Sequence, residues 1–342
     1  MKPTIKDVAK LAGVSFKTVS RVINNEPSVG DALKEKVWKA VKELNYKPNL
    51  SARHLRGASS FIGFIYDNPN SHYVIGMQHG ILEECHRQGF ELVIHPCDAN
   101  SNTITDELAA MVERGQLAGL VLTPPISESS EIVSELNKRG IKFVRILSGS
   151  RAPDELSPCV MVDDRNAARE ITQYLIDLGH TRIGFLSGDL VHASSGERES
   201  GYRQAMLDNQ LPIDETLIVQ GEYAFESGVQ RTQKLLKQAE PPTAIFACND
   251  EIAAGTLFAA RLQGVDVPKQ LSIVGFEDSP FSRQTWPKLT TAQQPNSKIA
   301  ASATALLIQS TRTTRKGEIP DAEIDKAFHP ELIVRDSTDQ RP

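Results

Sequence analysis

The chain has 342 residues, 40% hydrophobic and 24% charged, with a formal net charge of −5. That composition is average for a globular protein and excludes a collagen, a mucin-like stalk or a wholly disordered chain. At roughly 100–200 residues per domain the length suits two to three domains.

No apolar run approaches the ~18 residues of a membrane helix. The N-terminus reads MKPTIKDV and lacks the apolar stretch of an export signal. Cys85, Cys97, Cys159 and Cys248 are scattered without CxxC or zinc-ligand spacing. A cytoplasmic protein with reduced thiols, no metal and no membrane contact is expected. The charge is unevenly spread. Residues 1–60 hold twelve Lys/Arg against five acids, a balance of +7, and the rest of the chain carries −12. A small basic head on a large acidic body points to a polyanion-binding module joined to something else.

Thr4 to Asp7 has the form of a capping box and opens a first helix with Ile5, Val8 and Leu11 on one face. Gly13 suits a tight turn and Val14 a buried plug. Ser15 caps a second helix whose Val19 and Val22 face the first, leaving Phe16, Lys17, Thr18, Ser20 and Arg21 outward. Ser28 to Asp31 has capping-box form again and starts a third helix with Leu33, Val37, Val41 and Leu44 inward. Two short helices joined by a Gly-containing turn and braced by a third make a helix-turn-helix, whose second helix fits the major groove of B-DNA. Between Pro48 and Gly57 lie at most two turns of helix, Asn49 to Arg56, which is marginal alone in water. This segment is expected to be disordered off DNA.

From Ser60 on, short apolar runs alternate with amphipathic stretches. Strands are expected at Phe61–Tyr66, Phe90–His95, Gly119–Leu122 and Phe143–Ile146, then at Arg182–Leu186, Leu217–Val219, Ala244–Ala247 and Ser272–Gly275. Helices are expected near 73–88, 104–114 and 128–139, then near 165–178, 199–210, 226–238 and 249–263. Such alternation builds parallel sheets with helices on both faces, and some 280 residues exceed one comfortable core. The expected fold class is therefore α/β, an all-α head followed by two doubly wound parallel-sheet lobes.

The segment TIKDVAKLAGVSFKTVSRVINNEPSV, followed by LNYKPNLSARHLRG, resembles the head of the lactose-repressor (LacI/GalR) family of bacterial transcription regulators, without a gap over about the first 57 residues. LGHTRIGFLSG, PTAIFACNDEIAAG, LSIVGFED, LTTAQQP and PELIVRDS are similar to the same family along the body. The resemblance implies a helix-turn-helix domain at 1–47, a hinge helix and linker at 48–60, and an effector-binding and dimerisation domain at 61–342. In that domain the first lobe would take about 61–161 plus 294–322, and the second about 162–293 plus 323–342, with crossings near 161–164, 292–296 and 321–328. The same fold serves periplasmic sugar-binding proteins, with the ligand between lobes at the carboxyl ends of strands, as open α/β sheets generally place it.

By resemblance, Phe16 and Lys17 read bases and Arg21 reaches a guanine, while Thr4, Ile5, Thr18, Ser20, Asn24 and Asn49 support base or phosphate contacts. The chemistry agrees, since Arg or Lys can donate to guanine O6 and N7 and Phe can pack on a thymine methyl. Leu55 would wedge into the central minor-groove step across a dimer axis, with Ala52 and Arg53 beside it. The resemblance places the effector on Arg198, Asn249, Gln294 and Tyr223, with Ser194 one turn before the arginine and Asp67, Asn68 and Tyr73 closing the site from the other lobe. Glu277 stands where the family usually has Asp, so its carboxylate reaches about one methylene further.

A solute-uptake protein and an enzyme are the competing classes. The basic head and the absent export signal oppose the first; the absence of GxGxxG after a strand, GxxxxGK[ST], HExxH and GxSxG opposes the second. The Asp163-Asp164 pair has no nucleophile beside it in sequence and is expected to be structural. An architectural DNA binder would need no polar pocket. The expected protein is a homodimeric repressor of a palindromic operator, without a cofactor, located in the cytoplasm and on the nucleoid. A small carbohydrate, an amino sugar or a glycoside, would control it. Release on binding is the expected sign by resemblance, with corepression as the alternative. The end of the chain shows no a/d repeat for a helical tetramer, so a dimer is expected.

Overall fold

The computed structural model describes residues 3–23, 29–44, 46, 61–68, 71–150, 152–313 and 324–341. Asn24, Ser28, Asn49, Ala52, Arg53 and Leu55 lie outside the described residues, and so does the expected hinge helix. Two compact units divide the chain after Ser60.

The first unit holds α1 (Ile5–Ala12), α2 (Phe16–Ile23) and α3 (Asp31–Glu43). Asp7 accepts from the Thr4 backbone N–H at 2.8 Å and from the Thr4 hydroxyl at 2.7 Å, which closes the start of α1. Gly13 ends it at φ 64°, a left-handed conformation that costs glycine nothing. The Thr18 N–H donates to Ser15 Oγ at 3.0 Å, the cap of α2. Val8, Val19, Val22, Val37 and Ala40 form the core of the three helices. Two expectations fail here. Leu11 and Leu33 are exposed rather than inward; the inward stripes are Ile5, Val8, Ala9 and Ala12 on α1 and Val37, Ala40, Val41 and Leu44 on α3, each at i, i+3, i+4, i+7. Gly30 precedes α3, and the expected cap at Ser28 lies outside the described residues.

The second unit contains two parallel sheets. The larger runs in the order β11-β5-β4-β3-β1-β2, where β1 is Phe61–Tyr66, β2 Glu91–Pro96, β3 Leu117–Leu122, β4 Phe143–Ser148, β5 Cys159–Val162 and β11 Ala327–Phe328. Its strands obey the period of two. Ile62, Phe64, Val121, Val144 and Ile146 pack on one face against α4 (His72–Gln88) and a long helix at Asn296–Thr313. Ile65, Leu120, Leu122 and Phe143 pack on the other against α5 (Ile104–Gly115) and α6 (Ser130–Lys138). The smaller sheet has the order β7-β6-β8-β9, with β6 at Ile183–Leu186, β7 at Ile218–Val219, β8 at Ala244–Ala247 and β9 at Ser272–Val274. Around it lie α7 (Asp164–Asp177), α8 (Ala193–Asp208), α9 (Phe225–Leu235), α10 (Asp250–Leu262) and the short α11 (Pro280–Gln284). β10 (Thr291–Gln293) pairs antiparallel with β12 (Glu331–Ile333). The helix at Asn296–Thr313 is α12.

Several elements depart from the sequence expectation. β5, β10, β11, α11 and α12 were not anticipated. α12 shows little amphipathic contrast because it is covered by α4 on one side and by the sheet on the other. α8 starts at Ala193 instead of 199, and its first N–H donates to Glu128 Oε2 at 2.9 Å, an acceptor 65 positions away. The third crossing between lobes was expected near 321–328, with the second lobe resuming at about 323. β11 instead pairs with β5 in the first lobe's sheet, and the chain crosses at 329–330, before β12. The register Ala327↔Met161 adds a parallel edge strand that only the three-dimensional neighbourhood can select.

His180 anchors the end of the chain. Its ring is buried between Thr243 Oγ1 at 3.0 Å on Nδ1, and Ser272 Oγ at 3.0 Å and the Asp339 carbonyl at 3.2 Å on Nε2. Burial holds its pKa below the ordinary 6.5. The unfolded chain therefore binds the proton first as pH falls, and stability drops below about pH 6.5 with a slope of up to ~1.4 kcal/mol per pH unit for this one group. Urea unfolding at pH 7.5 and 5.5 should show a smaller acid loss in His180→Gln than in the parent. An equal loss would refute the assignment.

Candidate functional site

The carboxyl ends of β1, β4 and β5 face those of β6 and β8 across one cavity of about 130 Å³. All nine body residues singled out in the sequence line it: Asp67, Asn68, Tyr73, Ser194, Arg198, Tyr223, Asn249, Glu277 and Gln294. Asp67 and Asn68 follow β1, and Tyr73 lies in the first turn of α4. α8 carries Ser194 and Arg198, Asn249 follows β8, and Glu277 follows β9. Each occupies a loop or helix start just beyond a strand, where side chains are free to converge.

Arg198 is the centre, only 4% exposed. Its Nε donates to Asp164 Oδ1 at 2.8 Å and its Nη1 to the Cys248 carbonyl at 2.6 Å, while Nη2 reaches Gln294 Oε1 at 3.5 Å. The guanidinium carbon lies 3.7 Å above the Phe276 ring. Asp164 is 2% exposed and also accepts from the Ser148 hydroxyl at 2.5 Å. Sequence reasoning assigned the Asp163-Asp164 pair to structure and missed Asp164 as a member of the site. The available signal was its place immediately after β5, at a crossing between lobes. Ser148, His192 and Glu251 were also missed.

Asn249 caps α10: its Oδ1 accepts from the Ile252 N–H at 2.9 Å, so the NH₂ half is what it can offer the cavity. The Tyr223 hydroxyl meets Ser195 Oγ at 2.9 Å and Ser194 Oγ at 3.3 Å. A Cβ at Gly188 would fall 2.1 Å from the Tyr223 ring, so only glycine allows that ring to lie where it does. Glu277 sits at φ 102°, a strained backbone for a residue with a side chain. The N–H of Glu277 donates to Ala292 and its carbonyl accepts from Gln294, which ties it to β10. Behind it, Asp250 accepts from Thr291 Oγ1 at 2.6 Å and from the Ser279 N–H at 2.6 Å, holding that loop. Burial pushes the Glu277 carboxyl up to about 8, with Arg198 pulling the other way. Burial also holds the His192 ring below its ordinary value, which favours its neutral form.

At the rim, burial raises Glu128 to about 7. That carboxylate belongs to the segment after β3 and accepts from the N-terminus of α8, so it links the two lobes directly.

In the head, Phe16 is 52% exposed although its neighbours Val19 and Val22 are fully buried. Lys17 and Arg21 are exposed beside it, and Thr18 and Ser20 partly so. Thr4 is engaged with Asp7 and Ile5 packs against the core. An exposed aromatic flanked by two cations is the surface a major-groove reader requires.

Residues 4–49 match the family described as bacterial regulatory proteins, lacI family, and residues 172–338 a periplasmic binding protein-like domain. The chain is 34% identical over 340 residues to the HTH-type transcriptional regulator DegA of Bacillus subtilis (strain 168), covering 99% of this chain and 98% of the relative. Among solved structures, the transcriptional regulator CelR–cellobiose complex aligns with a TM-score of 0.72 at 28% identity, over 98% of this chain and 99% of that one. The lac repressor dimer bound to operator and the anti-inducer ONPF aligns with a TM-score of 0.73 at 25% identity, over 99% and 100%.

Proposed function

The chain belongs to the lacI family of bacterial regulatory proteins, and on that premise we propose a transcriptional repressor that binds a palindromic operator as a dimer and answers to a small carbohydrate held between its lobes. The observation that carries this reading is the cavity lined from both lobes with Arg198 at its centre. A ligand that bridges two lobes acts on their relative orientation, and it shifts the equilibrium by as much as its affinity differs between the two states. The effector rests on Arg198, Asn249, Gln294 and Glu277 from one side and on Asp67, Asn68 and Tyr73 from the other, with Ser194 and Tyr223 shaping the wall. Release of DNA on binding is the sign we assign. The solved relatives supply the analogy, one with cellobiose bound and one with operator.

In the head, Phe16, Lys17 and Arg21 read bases, and Thr4, Ile5, Thr18 and Ser20 set the helix against the duplex. We extend the same role to Asn24 and Asn49, and the minor-groove wedge to Leu55 with Ala52 and Arg53. The domain limits are 1–47, 48–60 and 61–342. No reaction is assigned, and DegA and CelR are named as transcriptional regulators. The protein works in the cytoplasm on nucleoid DNA; among the described residues no helix is long and apolar enough to cross a membrane. Selection of DNA sites by the full chain should return one palindrome, and calorimetry against a carbohydrate panel should find a saturable ligand that weakens that binding. A non-palindromic consensus, or operator binding indifferent to every saturating ligand, refutes the reading.

Dimerisation has its own physical support. Ile75 and Leu82 are exposed seven residues apart on α4, Phe258 and Leu262 four apart on α10, and Trp286 beyond α11 is 72% exposed. Apolar stripes at helical spacing suit burial against a second copy. Light scattering at micromolar concentration should give a mass of two chains. A tetramer or a monomer would overturn the assignment.

A further inference from the structure

The charge of the cavity narrows the ligand further, on the premise that a carbohydrate is the effector. Asp67, Asp164, Glu251 and Glu277 all line it, against one guanidinium, Arg198. The charge of that cation is already matched: Asp164 lies 2.8 Å away, and Nη1 and Nη2 also reach the Cys248 carbonyl and Gln294. Glu251 accepts from the Phe225 N–H at 3.3 Å. Among the described residues, no N–H or O–H group donates to the Glu277 carboxyl. Asn249, 6% exposed, presents its NH₂ to the same space once Oδ1 is spent on α10.

A cavity so built repels a phosphate or a uronate, since an incoming anion meets a surplus of carboxylates and a single guanidinium whose charge Asp164 already matches. Among the described residues no cation is ion-paired with Glu277, and Arg198, which acts on it through space, is paired with Asp164. We propose that the effector is an amino sugar with a free amine, whose ammonium seats on the Glu277 carboxylate while a ring hydroxyl or ring oxygen accepts from Asn249. An ammonium–carboxylate hydrogen bond inside the cavity is roughly twice as strong as a neutral one. Supplying an opposite charge also favours the ionised form that burial disfavours.

Titration calorimetry of the full chain with glucosamine, galactosamine and the glucosamine disaccharide, beside glucose, galactose, N-acetylglucosamine, cellobiose and glucose 6-phosphate, decides it. The amine-bearing sugars should bind about ten-fold or more tighter than their neutral counterparts, and glucose 6-phosphate should not bind. In Glu277→Gln that preference should fall to about one, with the unliganded melting temperature checked against the parent. Glu277→Asp keeps the charge and should keep the preference, so it serves where the glutamine variant fails to fold. Equal or tighter binding of a neutral sugar, or of the phosphate, overturns the amine assignment and leaves the carbohydrate reading standing. A preference that survives Glu277→Gln overturns the seat. Silence from every sugar overturns both.

Discussion

Arg198→Ala should lower the stability of the body by about 3–5 kcal/mol, the usual cost of leaving a buried charge without its partner, and should abolish the response to effector. Asp164 is almost wholly enclosed and its other side-chain partner is a hydroxyl, Ser148. Removing the guanidinium leaves a carboxylate that must either protonate or draw in water. At roughly 2–4 °C per kcal/mol for a domain of this size, thermal melts of the unliganded protein should fall by on the order of 10 °C. The pair variant Arg198→Met/Asp164→Ala removes both charges and should recover most of that loss, because replacing a buried ion pair by apolar groups is often near neutral. It should not recover the effector response. Operator affinity in the folded pair variant should stay near that of the parent. An Arg198→Ala protein that melts like the parent would show that the ion pair adds no net stability.

Arg21→Ala should weaken operator binding by about 1–3 kcal/mol for each bidentate pairing with a base that it removes, and a dimer has two of them. The effect should be confined to one symmetric pair of operator positions, where site selection should return a relaxed preference. Lys17→Ala should behave in the same way at a neighbouring pair. Lys6→Ala should instead weaken all sequences nearly equally and flatten the dependence on salt, as expected for a residue that neutralises a phosphate. A Lys17→Ala or Arg21→Ala profile identical to the parent's would remove that residue from base reading. Both residues lie on the exposed side of α2, opposite Val19 and Val22, so the substitutions should leave the head folded.

Much of the architecture could be read from residue order because it depends on neighbours a few positions apart. The caps at Thr4 and Ser15 are local contacts, and so is the turn at Gly13. The alternation that sends Phe64 and Ile65 to opposite faces of β1 follows from strand geometry alone. The cavity residues were legible through the resemblance to the family, on motifs such as CND and VGFED, and their meeting agrees with an open α/β sheet, where the positions after strand ends converge. Only the tertiary structure decided what depends on residues far apart. Asp164 is bound to Arg198 across 34 positions, and nothing local marks a carboxylate as the partner of that arginine. α8 begins at Ala193 because Glu128, in the other lobe, accepts its first N–H. The Ser-Ser-Gly stretch beside Ala193 reads as a loop on propensity. Leu11 and Leu33 fit a helical apolar stripe, but the packed core takes Ala9 and Ala12 on α1 and Val37 and Ala40 on α3 instead. Periodicity fixes which face of an element is apolar. Which distant group satisfies a charge, caps a helix or covers that face is settled by packing, because burial turns an unpaired polar group or a poorly filled contact into a cost of kilocalories that water would otherwise absorb.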